Sequence, residues 1–246
     1  MGCTGCDTGQ VRFPRGSAVT PWVVLDTAPI PGTDGETLRL LQRGHEFSIR
    51  IGHNELMNSR LSGSEEALAT LSAARIGGRA GARILVGGYG MGFTLRAALD
   101  ALGADASLVV AELVPAVLAW GRGPLAHIAK EALSDPRVEV READVAALIR
   151  SASRAYDAIL LDVDNGPEGL TRADNDRLYD AGGLAAARGA LRPGGVLAVW
   201  SAHPDPAFTQ RLARAGFEVE AVPVRAGRGR GARHTVWLAA RPERGR

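Results

Sequence analysis

The chain has 246 residues, 46% hydrophobic, 23% charged and 5% aromatic, enough apolar side chain for a packed core, and this excludes disordered, collagenous and disulfide-dense classes. Twenty-nine basic residues against 27 acidic ones leave a formal charge of +2, so no net field draws the protein to nucleic acid or to an anionic membrane. Lys130 is the one lysine; beside so much Ala and Gly, the Arg excess reads as a coding habit rather than as a design for phosphate contacts.

No window reaches the roughly 20 consecutive apolar residues that a membrane helix needs, and Met1 to Gly16 carries no hydrophobic signal core. The expected address is cytoplasmic, with neither membrane nor nucleic acid as partner. Residues 1–19 read as a flexible tail, in which Cys3 and Cys6 form a lone CxxC. That pair has no second Cys pair or nearby His for zinc, and no strand before it to make a redox motif.

Residues 20–63 read as a small antiparallel β domain: Trp22–Leu25, Leu38–Leu41 and Glu46–Ile51 are short strands split by turn signals such as Pro31-Gly-Thr-Asp-Gly35. Such a unit is too small to stand alone, and its open edges point to packing on the rest of the chain and to a homodimer. Residues 64–80 read as a bridging helix over Glu65–Arg75, capped by Ser64 and stopped by Gly77-Gly78.

Residues 81–240 alternate strand and helix: strands at Arg83–Val86, Ser107–Ala111, Val138–Val140, Ala158–Leu161 and Val196–Val199, with helices between them. The turn before the fifth strand is Leu191-Arg-Pro-Gly-Gly195, and Phe217–Ala221 with Thr235–Ala239 form a closing hairpin around a Gly/Arg-rich stretch. Residues 241–246 are a second tail. Alternating βα units predict an α/β fold, a mostly parallel Rossmann-like sheet covered on both faces, and the antiparallel hairpin separates it from a plain dinucleotide-binding sheet. The hairpin tip at Arg228 and Arg230 reads as a loop rather than a nucleic-acid contact, since no aromatic residues interleave it.

Gly87-Gly88-Tyr89-Gly90-Met91-Gly92 falls at the end of the first parallel strand, where glycines let a ligand reach the backbone and N–H groups face it. A dinucleotide fingerprint would need glycine where Phe93 stands, so the spacing suits a nucleoside without a pyrophosphate, or a tight turn alone. Glu112 ends the second strand, 20 residues after Gly92, where an acid accepts both ribose hydroxyls. Asp144 follows the third strand and reads either as acceptor for an adenine amine or as a helix N-cap; one side chain can do both. Asp162 closes the apolar fourth strand at the carboxyl edge of the sheet. With Asp164 it makes a carboxylate pair able to hold a cationic amine and take its proton during attack on a sulfonium-activated carbon, against the plainer reading of two loop acids capping a turn.

These residues resemble, in order and spacing from Val23 to Ala239, the spermidine synthase (polyamine aminopropyltransferase) family within the class I S-adenosylmethionine-dependent methyltransferase fold. Gly87–Gly92 stands for the family's GGGDGG, Glu112 lies in Val109-Val-Ala-Glu-Leu113, Asp162 to Pro167 stands for its Asp-Ser-x-Asp-Pro-x-Gly-Pro loop, and Asp144 and Leu191–Gly195 fall in step. The resemblance implies adenosine held by Glu112 and Asp144, with Gly87, Gly88, Tyr89, Gly90 and Gly92 around the nucleoside. It also implies Asp162 as the acid nearest the nucleophile, with Asp164 as an approximate counterpart of the family's second Asp.

Three departures bear on the substrate. Gly90 replaces the glycine-loop Asp that implies selection for decarboxylated S-adenosylmethionine, so its loss implies that ordinary S-adenosylmethionine is admitted. Gln-Ser becomes Asn58-Ser59, and the Tyr-His after the helix Glu is absent, Ala67-Leu68 following Glu66. Asn58, Arg60, Glu65 and Glu66 are then expected to line the acceptor lid, Arg60 either facing an acceptor carboxylate or pairing with Glu65 or Glu66. The resulting expectation is methyl transfer from S-adenosylmethionine to a small amine-bearing acceptor with Asp162 as proton acceptor. The alternatives are aminopropyl transfer from decarboxylated S-adenosylmethionine and a catalytically silent adenosine-binding paralogue. No metal ligand set is visible.

Overall fold

The computed structural model describes residues 20–163, 177–227 and 230–243; Cys3, Cys6, Asp164 and Arg228, singled out above, lie outside them. Two sheets organise the chain. The first is a four-stranded antiparallel meander, β1 (Val23–Pro29), β2 (Thr37–Arg43), β3 (Glu46–Ile51) and β4 (Asn54–Asn58), in sequential order. Alternation explains its face: Leu38, Leu40 and Ile49 are buried while Arg39 and Arg50 between them are not. Strand β4 was not expected from the sequence; Gly52 at φ +54 turns the chain back so that Ile49 pairs with Met57.

The second sheet has seven strands: β5 (Arg83–Gly87), β6 (Ser107–Glu112), β7 (Val138–Glu142), β8 (Tyr156–Leu161), β9 (Leu191–Ser201), β10 (Glu218–Gly227) and β11 (Arg230–Ala240). Their order is β10-β11-β9-β8-β5-β6-β7, parallel from β9 through β7 and antiparallel where β11 joins β9 and β10. This is the expected Rossmann-like class I methyltransferase sheet with its C-terminal hairpin, beside the separate antiparallel sheet. Six α-helices are described: α1 (Gly63–Arg75), α2 (Phe93–Ala101), α3 (Pro115–Arg122), α4 (Val145–Ser151), α5 (Ala181–Ala190) and α6 (Pro206–Arg214).

Three local readings are corrected. Helix α1 starts two residues early, with Ser62 at its cap, so Ser64 lies inside the first turn, fully buried. Leu191–Gly195 does not precede β9 but belongs to it: between Tyr156↔Leu191 and Ala158↔Val196 the extra residues form a bulge, with Gly194 at φ +70. The hairpin strands run further than expected, to a Gly227↔Arg230 pair. Helix α6 was missed although its signals are plain, Asp205 accepting from Phe208 N at 2.9 Å and Pro206 at the first position.

One apolar core ties the sheets together. Leu40, Phe47 and Ile49 of the small sheet belong to the same buried cluster as Leu68 of α1, Val86 of β5 and Leu118 of α3. A second cluster lies on the opposite face of the large sheet, around Leu85, Ile149, Ile159, Leu197 and Phe208. No described helix is long and apolar enough to cross a membrane.

Candidate active site

At the carboxyl edge of the large sheet, β5 has β6 on one side and β8 on the other, so the connections leaving β5 and β8 diverge and open a crevice. The glycine turn sits there. Asp162 N donates to Gly87 O at 3.0 Å and Gly88 N to Ala111 O at 2.9 Å, which stitches the ends of the three strands. Gly88 has φ +85, and a Cβ on it would lie 2.5 Å from the Asp162 carbonyl oxygen; both the backbone angle and the approach of the β8 end require glycine.

The crevice opens into a cleft walled by both sheets and α1. Four carboxylates line it, Glu65, Glu112, Asp144 and Asp162, and no Lys, Arg or His does so among the described residues. The rest is mainly apolar, with Ile49, Leu56 and Met57 from the small sheet facing Val145, Val163 and Trp200.

Glu112 is 8% exposed at the end of β6. Its two oxygens accept from Tyr89 N and Val114 N, each at 2.9 Å. Burial pushes its carboxyl up, and the backbone N–H groups of Val114, Tyr89, Gly90 and Leu113 pull it back. Asp144 caps α4, accepting from Ala146 N at 2.8 Å, while it also borders the cleft; the cap is therefore realised and does not turn the residue away from a ligand.

Asp162 follows β8 and accepts from the Thr94 hydroxyl at 2.7 Å. Burial pushes its carboxyl up, against that one hydrogen bond. Across the cleft stands Glu65 from α1, 9% exposed, accepting from Ser64 Oγ at 2.6 Å. It too is pushed up, to about 7, first by burial and next by the charge of Asp162. Thr94 Oγ1 reaches the Glu65 carbonyl at 3.4 Å as well, so one hydroxyl touches both residues. Two acids that resist ionising together, at an apolar wall, are able to hold a cation or to share a proton.

Of the two adjacent acids expected at the acceptor lid, Glu65 lines the cleft and Glu66 does not. Glu66 faces away: it ion-pairs with Arg96 and accepts from Ser62 Oγ at 2.9 Å, beside a shallow surface cleft with Thr70, Asp100 and Lys130. Arg60 does not reach the main cleft either. It pairs with Glu46 at 3.6 Å and Glu55 at 3.5 Å, not with Glu65 or Glu66. Asn58 donates to Glu55 Oε1 at 2.9 Å and accepts from Arg60 N at 3.0 Å, closing a polar network outside the cleft.

Within the glycine turn, Gly88 and Gly90 border the cleft. Gly87 is packed under it, its Cβ position 2.9 Å from Val145 Cγ2, and Gly92 at φ +78 opens α2. Tyr89, expected beside the nucleoside, does not line the cleft: its N–H is spent on Glu112 at 2.9 Å and its ring turns inward, 2.3 Å from the Cβ position of Gly121, where burial raises the phenol to about 12. Beside Gly90 lies Met57, whose Sδ is 2.8 Å from where a Cβ at 90 would stand and accepts from Met91 N at 3.1 Å. A thioether, not a cation, therefore fills the room that a side chain at 90 would take.

No protein-family model matches the sequence, and no curated protein matches it. Among solved structures the chain is similar to a spermidine synthase from Thermotoga maritima, with TM-score 0.71 and 16% identity over 90% of this chain and 74% of that one. It is similar to a spermidine synthase in complex with the transition-state analogue AdoDATO, with TM-score 0.68 and 16% identity over 88% of this chain and 72% of that one. A third, a probable spermidine synthase from Corynebacterium glutamicum, has TM-score 0.58 and 17% identity over 89% of this chain and 79% of that one. At these identities the likeness is one of fold, and it spans both sheets.

Proposed function

We propose that the protein is an aminopropyltransferase of the polyamine type, which binds decarboxylated S-adenosylmethionine and passes its aminopropyl group to a small amine. The observation that carries this reading is the charge of the cleft: four carboxylates and, among the described residues, no cation. Each charge the reaction brings in is positive, namely a sulfonium, the ammonium of the decarboxylated donor and the acceptor amine, and the acidic field of the cleft attracts all three. The carboxylate of ordinary S-adenosylmethionine would enter a like-charged field without a partner. The methyl-transfer expectation rested on Gly90 having lost an acid. With Met57 packed against Gly90, that loss brings no group to receive a carboxylate, and the fold likeness to three spermidine synthase structures supports the aminopropyl alternative.

In this reading Glu112 accepts the ribose hydroxyls with the lone pairs that Tyr89 N and Val114 N leave free, and Asp144 accepts the adenine amine. Val145 and Val163 flank the base, and Ile49, Leu56 and Met57 exclude water from the propyl chain. Asp162 and Glu65 hold the acceptor nitrogen in line with the carbon bonded to sulfur. Asp162 takes the proton the nitrogen loses as the C–N bond forms and the C–S bond breaks, the bonding pair leaving with sulfur. A carboxylate raised towards neutrality is a better base for that step than one held near 4. Without the family's Tyr-His, the acceptor is defined here only as a small amine.

Titration calorimetry with the two nucleosides tests the reading. Tighter binding of the decarboxylated form is expected, followed by a product heavier by one aminopropyl group when a diamine is added. Preference for S-adenosylmethionine would overturn it, and binding without any product would leave a silent adenosine-binding protein.

A further inference from the structure

The proton that Asp162 takes in each turnover, shared with Glu65, whose carboxyl feels its charge, has to leave a site whose walls are largely apolar. Behind Glu65 runs a continuous set of polar atoms. Glu65 Oε2 accepts from Ser64 Oγ at 2.6 Å, and Ser64 Oγ lies 2.9 Å from His234 Nδ1 on β11. Ser64 is fully buried, Glu65 is 9% exposed, and His234 is half-buried next to exposed Arg233. Trp200 borders the cleft with its ring edge-on to His234 at 4.9 Å, so it stands between His234 and the cleft, and the hydroxyl of Ser64 is the polar connection past it.

We propose that Ser64 and His234 are positioning and relay residues that carry the reaction's proton from Glu65 to the protein surface at β11. This rests on the aminopropyl-transfer reading of the cleft and extends it. The chemistry balances through one rotation of the Ser64 hydroxyl and one tautomer exchange of the His234 ring. With Glu65 ionised, Ser64 donates to it and His234 Nδ1–H donates to Ser64. Once Glu65 is protonated its O–H donates to Ser64 Oγ; His234, exchanging protons with solvent, moves to the Nε2–H tautomer, and the Ser64 proton passes to the opened Nδ1. Glu65 is left ionised and His234 is an imidazolium, which then gives its proton to solvent. The imidazole is suited to that last release, because burial and the charge of His203 hold it below the ordinary histidine range. The groups facing His234 are Ser64 and Glu65 from α1, Trp200 from β9 with His203 just beyond it, and Val224 across from it on β10. Arg225 and Arg233 flank that pair, and Arg225 is spent on the Gly231 carbonyl at 3.2 Å.

The test has two arms on the whole protein. In the first, ligand-free, the His234 ring is titrated by NMR in the wild type, Glu65→Gln, Ser64→Ala and the double variant. In the wild type the ring signal is expected to show, besides the imidazole's own midpoint, a second inflection near the Glu65 midpoint of about 7, lost in Glu65→Gln and in Ser64→Ala, as pairwise coupling through the hydroxyl requires. A ring titration curve indifferent to Glu65→Gln overturns the relay. In the second arm, with decarboxylated S-adenosylmethionine and a diamine, His234→Gln is expected to lower kcat about tenfold or more at unchanged KM, with added imidazole restoring it. Unchanged kcat overturns the relay too. Absence of any aminopropylated product from the wild type sinks the functional reading instead, and the titration arm still decides the coupling.

Discussion

Glu112 and the Glu65–Asp162 pair stand in the same cleft and are both buried, yet they are supported differently. Glu112 is gripped by main-chain N–H groups from the turns after β5 and β6, fixed dipoles that cost nothing to reorganise. Asp162 and Glu65 each have one side-chain hydroxyl, from Thr94 and Ser64, and repel each other. In the proposed reaction Glu112 recognises the nucleoside as an anion, its backbone donors working against the burial that pushes its carboxyl up. A pair short of donors shares a proton and can trade it. The difference separates the binding end of the site from its chemical end.

The largest effect should come from breaking the chemical end alone. Asp162→Asn keeps the Thr94 contact possible but removes the base, and turnover should fall by about 10²–10⁴-fold while calorimetric binding of the donor is kept. A parallel loss of binding would show that the two ends are not separable. Next comes Glu65→Gln, read as stability against pH. Glu65 rises from 4.5 to about 7 on folding, so between those values the folded state holds a proton that the unfolded chain has lost. Stability from this group is full below about 4.5 and is lost as pH rises to about 7. Urea midpoints from pH 5 to 8 should therefore decline less steeply in Glu65→Gln, leaving the variant the more stable at pH 8. Asp162 keeps a remaining slope of the same sign at lower pH. The smallest effect belongs to Arg60→Ala. Its half-exposed pairs with Glu46 and Glu55 lie outside the cleft, and neither kcat nor the unfolding midpoint should move measurably.

The large sheet was legible because buried parallel strands are continuous apolar runs, such as Arg83-Ile-Leu-Val86 and Ala158-Ile-Leu-Leu161, and their ends place Gly88, Glu112 and Asp162 without further help. The helix face was not. Glu65 and Glu66 differ by one residue, about 100° of rotation, and a start assigned two residues late left the choice between them open. A usable signal existed: Leu68 and Ala69 mark the buried stripe, and Glu65 lies one turn before it, whereas Glu66 heads the exposed row through Thr70. His234 offered no local signal at all, since its partner Ser64 is 170 positions away and meets it only when β11 closes against α1. Strand β4 was lost for a different reason: Asn54-Glu-Leu-Met-Asn58 is polar at both ends and short, so pairing with β3 rather than propensity makes it a strand.

The small sheet roofs the cleft with Ile49, Leu56 and Met57 while its inner face is part of the core shared with α1 and α3. A roof built that way cannot serve as a hinged flap. Lifting it would expose Leu40, Phe47 and Leu68 to water together, each worth about 1.5–3 kcal/mol of burial, which together matches or exceeds the roughly 4 kcal/mol that binding at about 1 mM returns. Traffic of reactants has to pass the open rim of the cleft rather than follow a swing of one sheet over the other.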